Sequence, residues 1–176
     1  MPNSPFAYWA HDSLINIFKK FDFFDKERIN RTTKCGLGTL DDFRFIRLIT
    51  EIDLKSYNHY WYTYFDGGTY SLYYEDFPCV VNWYNNGREL HVFIEQKVGS
   101  ASRKIQGSSY YFKPGFVFPR RTKAFAPKAM PANGIFSTGG QAGFFPSDEL
   151  EAGIALLSSS ICNALIAFSQ GGGGAP

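Results

Sequence analysis

The segment KCGLGTLDDFRFIR, residues 34–47, combines a glycine-rich turn, two adjacent acids and two arginines. Backbone N–H groups of such a turn can hold a phosphate, although Asp41 and Asp42 would repel it. These carboxylates could instead accept hydrogen bonds from a base amino group or orient Arg44 and Arg47, and arginine pairs with guanine through two hydrogen bonds. A plain turn that ends in a solvated strand is the alternative. The candidate nucleic-acid contacts of this segment are Thr39, Asp41, Asp42, Arg44 and Arg47.

A second candidate surface is the acid-free stretch from 96 to 147, which contains eight Lys or Arg residues. Residues 1–95 and 148–176 each have a net charge of −3, so the positive charge of the chain is concentrated in one segment. Aromatic residues alternate with these bases, which is typical of nucleic-acid contact. A basic solvated face over an aromatic core is the alternative. The candidate contacts here are Lys97, Arg103, Lys104, Arg120, Arg121 and Lys123.

Enzymatic chemistry has weaker support. Asp76, Glu95 and Lys97 imitate the spacing of metal-dependent nucleases, in which carboxylates around a divalent cation activate water. We interpret Glu95 and Lys97 as the solvent face of a strand and predict no metal site. The chain has no P-loop, no GxSxG motif, no Asn/Asp-Pro-Pro-Tyr/Phe motif and no glycine-rich cofactor turn after a strand. We therefore expect no catalytic residue and no cofactor in this chain.

Composition predicts one folded domain, from 1 to 170, with a flexible glycine-rich tail at 171–176. Of the 176 residues, 44% are hydrophobic and 18% are aromatic, which is enough for a sizeable core. The three cysteines are widely spaced and no signal peptide is visible, so a reducing, cytoplasmic compartment is expected. The apolar stretch 153–168 is short for a bilayer, and we interpret it as a buried or docking helix without a membrane role.

The pattern of elements predicts an α+β fold in which β-structure dominates, built of hairpins between an N-terminal and a C-terminal helix. Aromatic and threonine-rich runs favour strands, and Gly-containing turns separate them. The expected elements are a helix at 12–29, a strand at 43–54, a hairpin at 59–76 around Asp66-Gly67-Gly68, a hairpin at 80–96 around Asn85-Asn86-Gly87, a loop at 99–111, an irregular arm at 112–131, a short strand and glycine turn at 132–146, and a helix beginning near Ser147 and Asp148.

Seven sequence blocks, taken in order, carry a family resemblance. They are NSPFAYW (3–9), KCGLGTLDDFRFIR (34–47), W-x5-GG (61–68), VVNWYNNGREL (80–90), YYFKPGFVFP (110–119), ANGIFSTGG (132–140) and LLSSSICNAL (156–165). This series resembles the C-terminal half of BREX-type (PglX) adenine-specific DNA methyltransferases, and related type II restriction-modification methylases share it. The resemblance departs at Gly38, where the family often has glutamine, at Leu40, where it has glycine, and at Asp66, where it often has lysine.

The resemblance implies a target recognition domain that binds double-stranded DNA for a phage-defence or restriction-modification system. The family's methyl-transfer core, which uses S-adenosylmethionine, would belong to a methyltransferase domain or subunit that is the partner of this chain. We therefore expect a fragment, a split subunit or an engineered piece. The alternatives are an aromatic-rich binding module for a non-nucleic-acid ligand, such as a glycan or peptide, and a metal-dependent nuclease that uses Asp76 and Glu95.

Overall fold

A computed structural model describes residues 11–21, 24–25, 29–71, 74–120 and 124–169. These residues form two four-stranded sheets and five helices, which confirms the predicted β-dominated α+β fold. The helices are α1 (Asp12–Lys20), α2 (Asp42–Phe45), α3 (Tyr84–Val98), α4 (Leu150–Leu157) and α5 (Ser160–Ser169). The strands are β1 (Thr32–Lys34), β2 (Ile46–Leu48), β3 (Trp61–Phe65), β4 (Cys79–Asn82), β5 (Gly115–Pro119), β6 (Lys128–Met130), β7 (Gly134–Phe136) and β8 (Gly140–Phe144).

The first sheet has the order β1-β8-β5-β6, and all its neighbouring strands are antiparallel. Gly143 pairs with Thr33 on one side and with Phe116 on the other. A Cβ atom on Gly143 would lie 2.1 Å from the ring of Phe116, so the glycine makes room for that buried phenyl group. The glycines of this sheet therefore leave room for large aromatic side chains on the neighbouring strands.

The second sheet has the order β2-β4-β3-β7, in which β7 runs parallel to β3 and the other pairs are antiparallel. Both sheets contribute to one hydrophobic core, with Val81 and Ile135 from the second sheet and Val117 and Ala142 from the first. Leu37 is fully buried between the sheets. Because one core joins the sheets, loops from both can meet at a single surface.

The predicted second hairpin is wrong in its second half. Residues 79–82 form strand β4 as expected, but the following residues form helix α3. Asn85, Asn86 and Gly87 all have positive φ angles, so they make a left-handed turn that leads into a helix instead of a hairpin. Leu90 and Ile94, four residues apart, are both fully buried, and this spacing places them on one face of the helix.

Three other predicted elements also differ. The predicted strand at 43–54 contains most of α2, the short strand β2, a 3-10 turn at Ile49–Glu51 and the first residue of another at Leu54–Ser56. The predicted hairpin at 59–76 contains β3, whose partners are β4 and β7, and no strand occurs in the described residues between 66 and 78. The arm at 112–131 is not irregular, because it contains β5 and β6, paired antiparallel and largely buried.

Terminal helices are present as predicted, although their boundaries differ. α1 ends at Lys20, and Phe18 stacks on Phe168 of α5 with ring centroids 5.6 Å apart. Ser147 is not the cap of the last helical region, since Glu149 precedes α4 without a side-chain capping bond. The predicted helix at 153–168 is divided into α4 and α5, which are bent by 64°. No single helix in the described part of the chain is long and apolar enough to cross a membrane, although the bent pair together reaches that length and apolarity.

Candidate nucleic-acid interface

The glycine-rich turn from 36 to 42 is held in place mainly through its backbone. Leu37 donates its N–H to Phe136 O at 2.9 Å and accepts from Thr138 N at 3.0 Å, while Gly38 N donates to Lys104 O at 2.9 Å. The Tyr64 hydroxyl also donates to Leu37 O, at 2.9 Å. These contacts fix the first half of the turn against the residues around β7.

The second half of the turn is organised by its own side chains. Asp41 precedes α2, and its carboxylate accepts a hydrogen bond from Arg44 N at 3.1 Å, which is the usual role of an N-cap aspartate. The Thr39 hydroxyl, on a residue only 2% exposed, donates to the carboxylate of Asp42. Leu40 has a φ angle of +63°, a conformation that normally favours glycine. Thr39 and Asp41 therefore build the turn, in addition to any contact with a ligand.

A cleft of about 640 Å³ opens beside this turn, and we call it the turn cleft. It brings together three of the predicted contacts, Thr39, Asp42 and Lys104. The other lining residues are Gly38, Leu40, Ile46, Tyr64, Asp66, Cys79, Ser137, Thr138 and Gly139. Sequence reasoning missed Tyr64, Asp66 and Ser137, because these residues reach the turn only through the pairing of β3 with β7.

The turn cleft is rich in hydrogen-bond acceptors. It contains two carboxylates, from Asp42 and Asp66, and one ammonium group, from Lys104. Burial raises the pKa of the Cys79 thiol, and the carboxylates of Asp66 and Asp42 raise it further. Burial and the same two carboxylates also raise the pKa of Tyr64. The cleft therefore suits a group that donates hydrogen bonds better than it suits a phosphate.

The acid-free stretch reaches the edge of this cleft at Arg120. Its backbone N–H donates to the carbonyl of Gly139, a cleft residue, at 3.1 Å, and its side chain is exposed. Lys104 supplies a second base at the turn cleft itself. Arg121 and Lys123 lie outside the described residues, so the expected grouping of all these bases on one face stays a prediction.

Arg44 lines a different cleft, of about 560 Å³, on the other side of α2. We call it the tyrosine cleft, because Tyr60 and Tyr84 stack there with ring centroids 4.2 Å apart. Arg44 pairs with Glu89 at 2.7 Å and lies over the ring of Phe93. The remaining lining residues are Asn82, Asn85, Gly87, Arg88, Val92 and Gln96. No local pattern in the sequence indicates this cleft, because its aromatic rings come from separate segments.

The side chains of three other predicted DNA contacts already interact with groups of the protein itself. The guanidinium of Arg47 donates to the carbonyls of Phe43 and Ile46, the latter at 2.7 Å. Arg103 donates to Val98 O at 3.0 Å, at the C-terminal end of α3. Lys97 is exposed on α3, with its ammonium 5.7 Å from the ring centroid of Phe93. Neither cleft is lined by these three residues.

Lys128 differs from the other bases of the acid-free stretch, because its side chain is only 1% exposed. Its ammonium donates to the carboxylate of Glu75, to Gly67 O at 3.0 Å and to Thr69 O. Burial lowers the pKa of Lys128, and the carboxylate of Asp66 partly offsets this effect. Lys128 therefore fixes the described residues of the 66–75 loop at Gly67, Thr69 and Glu75, and Asp66, the first residue of this loop, lines the turn cleft.

The residues of the nuclease alternative do not lie in the structural elements that the sequence predicts for them. Glu95 and Lys97 lie on α3, so interpreting them as the solvent face of a strand was wrong. Asp76 accepts a hydrogen bond from the Tyr74 hydroxyl at 2.5 Å. Within the described ranges, no three His, Cys, Asp or Glu side chains are grouped as metal ligands.

The chain is distantly similar to a known methyltransferase. Over 157 residues, or 85% of this chain, it is 25% identical to the adenine-specific methyltransferase BrxX of Escherichia coli O9:H4 (strain HS). The chain spans 12% of the length of that relative. No family model matches the chain. The similarity supports a distant relation to adenine-specific methyltransferases of the BREX type.

Proposed function

We propose that this chain is the DNA recognition module of an adenine-specific DNA methyltransferase in a phage-defence or restriction-modification system. The observation that carries the proposal is the turn cleft, in which Thr39, Asp42 and Lys104 come together next to Arg120. The similarity to BrxX supports the same class of system. The partner would be the methyltransferase domain or subunit, which would bind S-adenosylmethionine and transfer the methyl group.

Two kinds of contact would contribute to DNA recognition. Lys104 and Arg120, with Arg121 and Lys123 further along the arm, would bind phosphates and supply affinity that does not depend on sequence. The carboxylates of Asp42 and Asp66 would accept hydrogen bonds from the exocyclic amino groups of cytosine or adenine, which present donors in the major groove. An acceptor-rich cleft with basic residues at its edge matches this division.

Salt-dependent DNA binding tests the proposal. The full chain should bind a pool of 30-base-pair duplexes with randomised centres, and log affinity should fall linearly with log salt concentration, measured by fluorescence anisotropy. Lys104→Ala and Arg120→Ala should each make the slope shallower by about 1 unit. Lys113→Ala is the matched control, because Lys113 is an exposed base of the same stretch that lines neither of the two clefts. DNA binding that is absent, or unchanged in both cleft variants, would contradict the proposal.

A binding module for a glycan is the second candidate, and the tyrosine cleft is the observation that favours it. The stacked pair leaves Tyr60 39% and Tyr84 47% exposed beside the amide groups of Asn82 and Asn85. Aromatic faces next to amides can also bind sugar rings. Binding to a glycan array that Tyr84→Ala abolishes, together with no binding to the duplex pool, would favour this function over DNA recognition.

A further inference from the structure

Two apolar side chains in the 38–44 segment are exposed to solvent. Phe43 is 94% exposed, the largest value among the exposed large apolar side chains in the described part of the chain. Leu40 is 45% exposed and has the left-handed φ angle of +63°. A leucine is strained in that conformation, and the partial burial of Leu40 contributes little stability to offset the strain. Such backbone strain is often retained where a residue has a function. We call Leu40 and Phe43 the apolar tip.

The apolar tip lies next to both clefts. Leu40 lines the turn cleft, and Phe43 is flanked in sequence by Asp42 of the turn cleft and Arg44 of the tyrosine cleft. Because the ring of Phe43 is almost wholly exposed, it is accessible to a ligand that extends from one cleft to the other.

The backbone that presents Phe43 is fixed. Asp41 caps the first turn of α2, and Phe45, at its end, is 1% exposed. Arg44 pairs with Glu89 of α3 at 2.7 Å, and the guanidinium of Arg47 donates to the carbonyl of Phe43 itself. The ring is thus displayed by a preorganised turn, which reduces the entropy lost on binding.

We propose that the apolar tip contacts nucleobases of bound DNA, with the ring of Phe43 wedged against a base step. This inference rests on the proposed function and adds the residue that would deform the duplex. Proteins insert phenylalanine and leucine side chains between base steps in this way, partly unstacking them. DNA fits this position, because each cleft contains a basic side chain for phosphates, Lys104 in the turn cleft and Arg88 in the tyrosine cleft, and the carboxylates of the turn cleft can accept hydrogen bonds from base amino groups.

The test uses one 30-base-pair duplex selected from the randomised pool by binding to the full chain, with 2-aminopurine placed at successive positions. The wild-type chain should raise 2-aminopurine fluorescence at one or two adjacent positions, because unstacking removes quenching. Phe43→Ala should abolish that rise and weaken binding about 10- to 100-fold, as for loss of one aromatic contact to a base. It should melt at the wild-type temperature, because the ring is almost wholly exposed. Phe21→Ala, which removes another exposed ring, lines neither cleft and should change nothing.

Leu40→Gly separates folding from binding. Glycine relieves the left-handed strain, so the melting temperature should stay the same or rise, while DNA affinity falls. The contrary result is a Phe43→Ala variant that keeps wild-type affinity and an unchanged fluorescence signal while Lys104→Ala still binds DNA more weakly. That result would overturn the proposed role of the apolar tip and leave the proposed function intact. No DNA binding by the wild type would overturn both. A wild-type dimer that Phe43→Ala dissociates without loss of DNA affinity would identify the tip as a protein contact and also overturn the inference.

Discussion

The two loops that meet at the turn cleft are held by different forces. The first half of the 36–42 turn, at Leu37 and Gly38, is fixed by main-chain hydrogen bonds to Phe136, Thr138 and Lys104, which do not depend on the side chains involved. The 66–75 loop is fixed by the buried ammonium of Lys128 and the carboxylate of Glu75. A segment held by its backbone does not depend on particular side chains, whereas the loop depends on the side chains of Lys128 and Glu75. Loss of one charged side chain should therefore loosen the 66–75 loop but not the first half of the turn.

The largest expected effect comes from removing the charge that holds the 66–75 loop. Lys128→Met should lower the free energy of unfolding by about 3 kcal/mol, because it removes the bonds of the buried ammonium to Glu75, Gly67 and Thr69 and leaves the partly buried carboxylate of Glu75 with hydrogen bonds from Thr69 alone. Urea denaturation followed by circular dichroism measures this change. Lys113→Met, at an exposed lysine, should stay within about 0.5 kcal/mol of wild type. A loss below about 1 kcal/mol for Lys128→Met would show that the ion pair does not hold the loop.

An intermediate effect is expected from a methyl group within the backbone-held turn. The Cβ atom of Gly36→Ala would lie 2.0 Å from Phe136 O, so the turn must shift away from β7. We expect a loss of about 1–3 kcal/mol in the free energy of unfolding, as for other overpacked sites. Gly38→Ala is the matched control, because its Cβ would lie 3.4 Å from the nearest atom, at ordinary contact distance. Equal stabilities of the two variants would argue against tight backbone packing in this turn.

The smallest expected effect concerns the charge that the 66–75 loop contributes to the cleft. The carboxylate of Asp66 raises the pKa of Cys79, so Asp66→Asn should lower that pKa and increase the thiolate fraction at pH 8. Alkylation of Cys79 by iodoacetamide, followed by peptide mass spectrometry, should therefore become faster. Cys162 serves as the internal reference, since burial alone raises its pKa. An unchanged rate at Cys79 would place Asp66 too far away to affect the cleft.

The fold class and the terminal helices could be predicted because they follow from local sequence patterns. Several contacts between distant segments could not. The turn Asn85-Asn86-Gly87 favours positive φ angles in a hairpin and at the start of a helix alike, and only the burial of Leu90 and Ile94 decides between them. Similarly, Lys128 resembles the other bases of its stretch, since its burial depends on a carboxylate 53 residues earlier in the chain.

Prediction of the site succeeded where the contacts were local to the 36–47 segment and failed where strand pairing determines them. Thr39 and Asp42 do line one cleft with Lys104, but Arg44 faces another. Asp66 joins the turn cleft because β3 runs parallel to β7, an arrangement that no turn signal in the sequence indicates. Tyr60 and Tyr84 stack for a similar reason, because Tyr60 precedes β3, Tyr84 follows β4, and the pairing of Trp61 with Asn82 brings these ends together.

The pairing of early strands with late ones also determines when this chain can fold during synthesis. β1 needs β8, which ends at Phe144, and β3 needs β7, which ends at Phe136, so neither sheet has all its strands until these two residues have left the ribosome. Such non-local topologies fold in roughly milliseconds to seconds. Until β7 and β8 have been synthesised, the core side chains of β3 and β4 therefore remain open to the solvent and to chaperones.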